Sequence, residues 1–158
     1  MKLDEALARR LAAEVSSELG NLDLLEKQCA DAPRGDDTFS LRARGSILHD
    51  FYSGIERVFV RIAEELNGGV PQGEHWHRQL VYDMSLEIPE VRPAVIDEEL
   101  ARALGDFRQF RHVFRNVYGF ALEDQRMRPL EERLPAVLAA FRRQVGDFLA
   151  WIVGGSDP

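Results

Sequence analysis

Apolar residues recur at steps of three and four along most of the chain, and most of its glycines and prolines fall between these runs. The first run is Leu3, Leu7, Leu11, Val15, Leu19, Leu22, Leu25 and Cys29, with acids and arginines between them. Such spacing predicts a long amphipathic helix over 3–31. Gly20 lies inside it, where the missing side chain weakens a helix by about 1 kcal/mol, and a bend is expected there. ADAPRGDD then reads as a surface turn.

Thr38 is the expected N-cap of a second helix carrying Ile47, Leu48, Phe51, Tyr52, Ile55, Val58, Phe59, Ile62 and Leu66. NGGVPQG (67–73) stops it, and a shorter helix over 74–86 holds Trp76, Leu80, Val81 and Met84. EIPEVRPAVID (87–97) contains two prolines and reads as an extended segment laid over the bundle, not as a strand. Asp97 caps the next helix, with Glu98 and Glu99 favourable to its dipole, and Gly119 closes it or begins its unwinding. In the last helix Pro129 suits the first turn, Pro135 suggests a restart or kink, and Leu134, Val137, Leu138, Phe141, Val145, Phe148, Leu149 and Ile152 form the apolar face. Nothing keeps a period of two for long. The prediction is an all-α, up-and-down bundle of about five helices.

Length and composition fit this picture. At 158 residues and 45% hydrophobic, one domain over 1–158 is expected. The charged N-terminus has no signal-peptide pattern, and no stretch approaches the ~20 apolar residues that span a bilayer, so a cytoplasmic protein without membrane contact is expected. The single cysteine, Cys29, excludes an intramolecular disulfide and reads as a buried small hydrophobe. A net charge of −7 argues against general nucleic-acid coating but leaves room for a local basic pocket.

One stretch departs from that acidic balance. FRQFRHVFRNVYGF (107–120), placed on a helix, gathers Phe107, Phe110, Val113, Phe114 and Val117 on one side and Arg108, Arg111, His112, Arg115 and Asn116 on the other. Three arginines at spacings of three and four make an anion the natural ligand. The competing reading is a solvated face, or arginines paired with acids of the second helix, with Asn116 capping and Tyr118 packed. Glu74, His75 and His77 in GEHWH do not make a metal site, because positions two apart on a helix point about 200° apart and a third ligand is lacking. Trp76 and His77 are expected to anchor the short helix, and no cofactor is called for.

YSGIERVFVRIAEELNGGVPQGEHWHRQL, then RPAVI, then FRQFRHVFRNVYGFALE, resemble the HepT-like branch of the HEPN superfamily of prokaryotic all-α proteins, over about Phe51 to Ile152. The resemblance implies a toxin component of a toxin–antitoxin pair: a homodimer acting on RNA as a metal-independent ribonuclease through an Arg, polar residue, spacer and His motif, often followed by a Tyr. It also implies a minimal nucleotidyltransferase as cognate antitoxin, in some members adenylylating that tyrosine.

Carried over, Arg111 is the motif arginine, His112 the polar residue, Asn116 stands where the histidine is expected, and Tyr118 is the tyrosine. An amide cannot titrate near neutrality, so the usual acid–base position is vacant. His112 is one candidate to fill it, with Arg108 and Arg115 binding phosphate. Arg115, Asn116 and Tyr118 also read as a variant that positions RNA. Whether the protein is an enzyme stays open. The alternative is a non-catalytic HEPN module that regulates a nucleotidyltransferase or binds a nucleotide.

Overall fold

The computed structural model describes residues 3–154. Within them the chain forms α1 (Glu5–Asp31), α2 (Thr38–Leu66), α3 (Trp76–Met84), α4 (Glu98–Asn116), a 3-10 turn (Gly119–Ala121) and α5 (Asp124–Val153). The long helices close a ring: α1 lies against α2 and α5, and α4 lies against the same two. Helix α3 packs on α2 and α4. This is the all-α bundle of five helices that the periodicity predicts. Among the described residues there is no strand, only an isolated antiparallel bridge between Ile88 and Arg92.

The predicted stripes form the core. Leu11, Val15 and Leu22 of α1, Phe51, Ile55, Phe59 and Ile62 of α2, Leu104 and Phe107 of α4, and Leu134, Phe141 and Val145 of α5 are all buried. Phe51 meets Phe107 with ring centres 5.2 Å apart, and Phe59 meets Phe141 at 5.7 Å, so aromatic contacts tie α2 to both neighbours. Each such side chain contributes about 1.5–3 kcal/mol by leaving water. Where α1 crosses α2, a Cβ on Gly54 would stand 2.8 Å from Leu22 Cδ2, so only glycine permits this approach.

Several boundaries differ from the prediction, each for a local reason. Asp37, not Thr38, caps α2, because its carboxylate accepts from the Ser40 amide at 3.0 Å. Helix α1 continues through Gly20. Cys29 is half-buried at the core margin, and burial pushes its thiol above the usual range. Helix α4 ends at Asn116, before Gly119: the Asn116 amide donates to the His112 carbonyl at 2.7 Å, and Val117 is extended and exposed. Helix α5 starts at Asp124, so Pro129 and Pro135 both lie inside it. Each proline removes one backbone bond, a loss offset by the nine buried residues that the helix contributes.

The segment before α4 is not extended as predicted: it folds back in a turn at 88–92, where Ile88 pairs with Arg92 and Glu90 takes a positive φ of 66°, and two devices fasten it. Val95 and Ile96 amides donate to the Met84 carbonyl at 2.9 and 3.2 Å. The buried Arg92 guanidinium donates to Asn67 Oδ1 and to the carbonyls of Asp83, Leu86 and Pro93, all at 2.9–3.0 Å. Its desolvation, which lowers its pKa, is thereby offset by four acceptors. The result holds α3 at a fixed place beside α4.

Candidate functional site

Asp97 starts α4 as predicted, its carboxylate accepting from the Leu100 amide at 2.8 Å. The helix then turns Leu100, Leu104, Phe107 and Phe110 into the core. That rotation decides where the basic residues go, and they do not share one surface.

Arg111 points inward, its side chain only 15% exposed. Its Nε donates to Ser53 Oγ at 3.0 Å, and its Nη1 lies 3.7 Å from Glu56 Oε1, so this arginine does pair with an acid of the second helix. Arg108, one turn earlier, is half-buried and forms no hydrogen bond or ion pair with the described residues. His112 and Arg115 are exposed and equally without such partners among the described residues. Asn116 is spent on the helix end through its bond to the His112 carbonyl.

Tyr118 is not on α4. It lies in the turn beyond, 75% exposed, with its ring stacked on that of Phe120, itself exposed, at 5.1 Å and 11° between planes. The backbone of this turn passes under Arg42, whose guanidinium covers Gly119 so closely that a Cβ there would meet it at 2.3 Å. The outward end of α4 therefore presents His112, Arg115, Tyr118 and Phe120 to solvent.

The inward side of the same helix borders a polar cluster that the pattern of motif residues does not announce. The Glu56 carboxylate, 9% exposed, accepts from His77 Nδ1 at 2.6 Å while Arg111 faces its other oxygen. His77 is 30% exposed and stacks against Trp76, with ring centres 3.7 Å apart. The Tyr52 hydroxyl is fully buried beside Glu56 without a hydrogen bond of good geometry. Burial pushes the Tyr52 phenol well above its ordinary range, Glu56 adds to this, and Arg108 and Arg111 oppose it. Helices α2, α3 and α4 thus each contribute to one polar junction. Glu56 was legible as an acid set among the apolar positions Tyr52, Ile55 and Phe59. Its pairing with His77 of α3 was not, since nothing local fixes which residues meet across a loop.

His49 lies apart from this cluster, with Nδ1 3.1 Å from Asp50 and its ring against Phe114. No helix of the described residues is long and apolar enough to cross a membrane.

A protein-family model described as HepT-like protein matches residues 43–152. The match takes in most of α2, all of α3 and α4 and most of α5, and so every residue of the polar junction and of the exposed end of α4. Comparison with curated proteins and with solved structures gives no match.

Proposed function

Because the chain belongs to the HepT-like protein family, we propose that it is the RNA-acting toxin component of a toxin–antitoxin pair, working as a homodimer in the cytoplasm. Its antitoxin is a minimal nucleotidyltransferase encoded with it.

The observation that carries this reading is the end of α4, where exposed His112 and Arg115, with no side-chain partner among the described residues, are followed in the chain by the exposed Tyr118–Phe120 stack. A guanidinium without a protein partner is free to take a phosphate in a charge-assisted bond, and an exposed aromatic pair offers a face on which a base can stack. Arg108, Arg111, Arg115, His112, Asn116 and Tyr118 form the proposed cleft, completed by the same residues of a second copy. Arg115 and Arg108 hold phosphate oxygens. Arg111, tied to Ser53 and Glu56, acts from within. Cleavage proceeds without metal by attack of the ribose 2′-hydroxyl, giving a cyclic phosphate.

One observation favours a second reading. With its amide engaged by a backbone carbonyl, Asn116 offers no proton-transfer group where the motif expects a histidine. That suits a non-catalytic module that binds a nucleotidyltransferase or a nucleotide.

Incubating purified protein with mixed cellular RNA in EDTA, alongside Arg115→Ala, decides between them. Arg115 is the better probe than Arg111 because it is exposed and makes no contact that folding needs. Cleavage that disappears in the variant supports the toxin reading; no cleavage above the variant selects the second.

A further inference from the structure

We infer that His77 of α3 is the group that moves the proton in this protein, with Glu56 as its positioning residue, so that the imidazole missing at position 116 is supplied from another helix. The inference rests on the RNA-cleavage reading and names its acid–base residue.

Four histidines are present, and only one is set up for this work. His112 and His75 are exposed, and no described carboxylate bonds to either. His49 leans on Asp50, its own neighbour in sequence, whose side chain is 55% exposed. His77 alone has a buried carboxylate behind its ring, at 2.6 Å. A carboxylate on Nδ1 holds the proton there and leaves the lone pair on Nε2, the tautomer that accepts a proton. No described residue bonds to Nε2, and the ring reaches solvent.

The same carboxylate joins this imidazole to the arginine of the motif. Glu56 takes His77 on one oxygen and faces Arg111 on the other, and Ser53 holds Arg111 in place. Arg108 stands one turn away with no ion pair of its own, a cation available to a phosphodiester. The buried Tyr52 hydroxyl lies beside Glu56 without a hydrogen bond of good geometry, on the same polar junction. The groups that face the imidazole are Glu56 from α2 and the Trp76 ring from α3, while Arg111 of α4 faces the other oxygen of the same carboxylate.

In the step, the proton of a ribose 2′-hydroxyl passes to Nε2 of His77 as the 2′-oxygen bonds to phosphorus. The bond from phosphorus to the 5′-oxygen breaks, and that oxygen takes a proton from water. The imidazolium, stabilised by Glu56, returns its proton to solvent.

The test measures fragmentation of mixed cellular RNA in EDTA as a function of pH, with wild type, His77→Gln, Glu56→Gln and His112→Ala, and binding of a fully 2′-O-methylated oligonucleotide in parallel. His77→Gln is expected to lose about 10²- to 10⁴-fold in rate, with binding changed less than about twofold, since the loss is one of proton transfer alone. A limb of the profile that rises with pH is expected in wild type and His112→Ala and absent in His77→Gln. Glu56→Gln is expected to keep the limb and lower the rate, because the imidazole remains but loses the carboxylate that orients it. Wild-type cleavage with His77→Gln equally active overturns the inference and leaves the toxin reading standing. So does equal loss of binding and cleavage, which marks a structural role. A wild-type profile flat through the imidazole range overturns it without any variant, and absence of wild-type cleavage removes both readings.

Discussion

Arg44 of α2 and Glu131 of α5 form a two-armed ion pair across 87 positions of sequence, Nε donating to one carboxylate oxygen at 3.0 Å and Nη2 to the other at 2.6 Å. Nη1 of the same guanidinium donates to the Gly35 carbonyl at 2.9 Å and meets Asp124 Oδ1 at 2.7 Å. Arg44 is 4% exposed, so the pair sits in the wall of the bundle and fastens the start of α5, where two prolines weaken the helix.

Removing one side of such a pair strands the other. Arg44→Met leaves Glu131 without its cation and Asp124 with Arg128 alone, and a loss of about 2–4 kcal/mol in unfolding free energy is expected from urea titration. A loss below about 1 kcal/mol is what exposed pairs give, and it would show that the cluster is solvated in solution.

The same cluster sets an acid limit on stability. The close guanidinium of Arg44, and then the hydrogen bonds from Arg128, hold the Asp124 carboxyl below the usual carboxylate range. A carboxyl lowered in the folded state contributes stability above its unfolded value, ~3.9, and loses it as pH falls through the lower folded value. Unfolding midpoints measured at pH 6 and pH 3 should therefore fall less in Asp124→Asn than in wild type. Equal falls would place the acid sensitivity in other carboxylates.

Gly45 carries a prediction about the α2–α4 contact. A Cβ there would stand 2.9 Å from Cε2 and 3.0 Å from Cδ2 of Phe114, closer than packed side chains tolerate. Gly45→Ala gains helix propensity worth up to about 1 kcal/mol. The clash costs about 1–3 kcal/mol and should win. Trimming the ring with Phe114→Leu in the same chain should recover part of that loss, and a double-mutant cycle by thermal melting reads the coupling. Strict additivity would show that Phe114 moves aside freely.

What the sequence disclosed follows from which forces act locally. The stripes from Leu11 to Phe148 reveal the helices because burial repeats with the helical period, and Asp97 reveals its cap because capping needs only its own next turn. The ends of α4 and α5 were hidden for the opposite reason. Asn116 stops α4 through a side-chain bond that competes with continuing to Gly119, and the start of α5 ahead of Pro129 depends on Arg44 eighty residues earlier in the chain. At the site, the residue types along 107–120 were readable but their directions were not. The face holding Arg108, Arg111 and Arg115 splits because Ser53 and Glu56 take Arg111 inward, and only the packing of α2 against α4 decides that.

Tyr52 gives a stability test at alkaline pH. Its hydroxyl makes no hydrogen bond of good geometry, so Tyr52→Phe should leave stability at pH 7 within about 1 kcal/mol of wild type or raise it, unlike a well-bonded buried tyrosine. Burial pushes its phenol up in the folded protein. The stability this represents is full below the unfolded value of ~10 and is lost as pH rises through the raised folded value, since only the unfolded chain readily ionises. Urea unfolding at pH 7 and pH 10.5 should show a smaller alkaline loss in Tyr52→Phe. A large loss at pH 7 would mean that the hydroxyl is bonded in solution.

Tyr118 separates folding from recognition. The ring stacks on Phe120 and is 75% exposed, so Tyr118→Ala should change unfolding free energy by no more than about 0.5 kcal/mol. If a base stacks there, the same change should weaken binding of a 2′-O-methylated RNA oligonucleotide by about 1–3 kcal/mol, and Tyr118→Phe, which keeps the face, should restore most of it. Fluorescence anisotropy reads both. Rescue by phenylalanine ties the loss to the ring, whereas failure of rescue assigns it to the hydroxyl and moves the aromatic stack out of the RNA path. Binding that is unchanged in both variants would leave the exposed Tyr118–Phe120 edge to a protein partner.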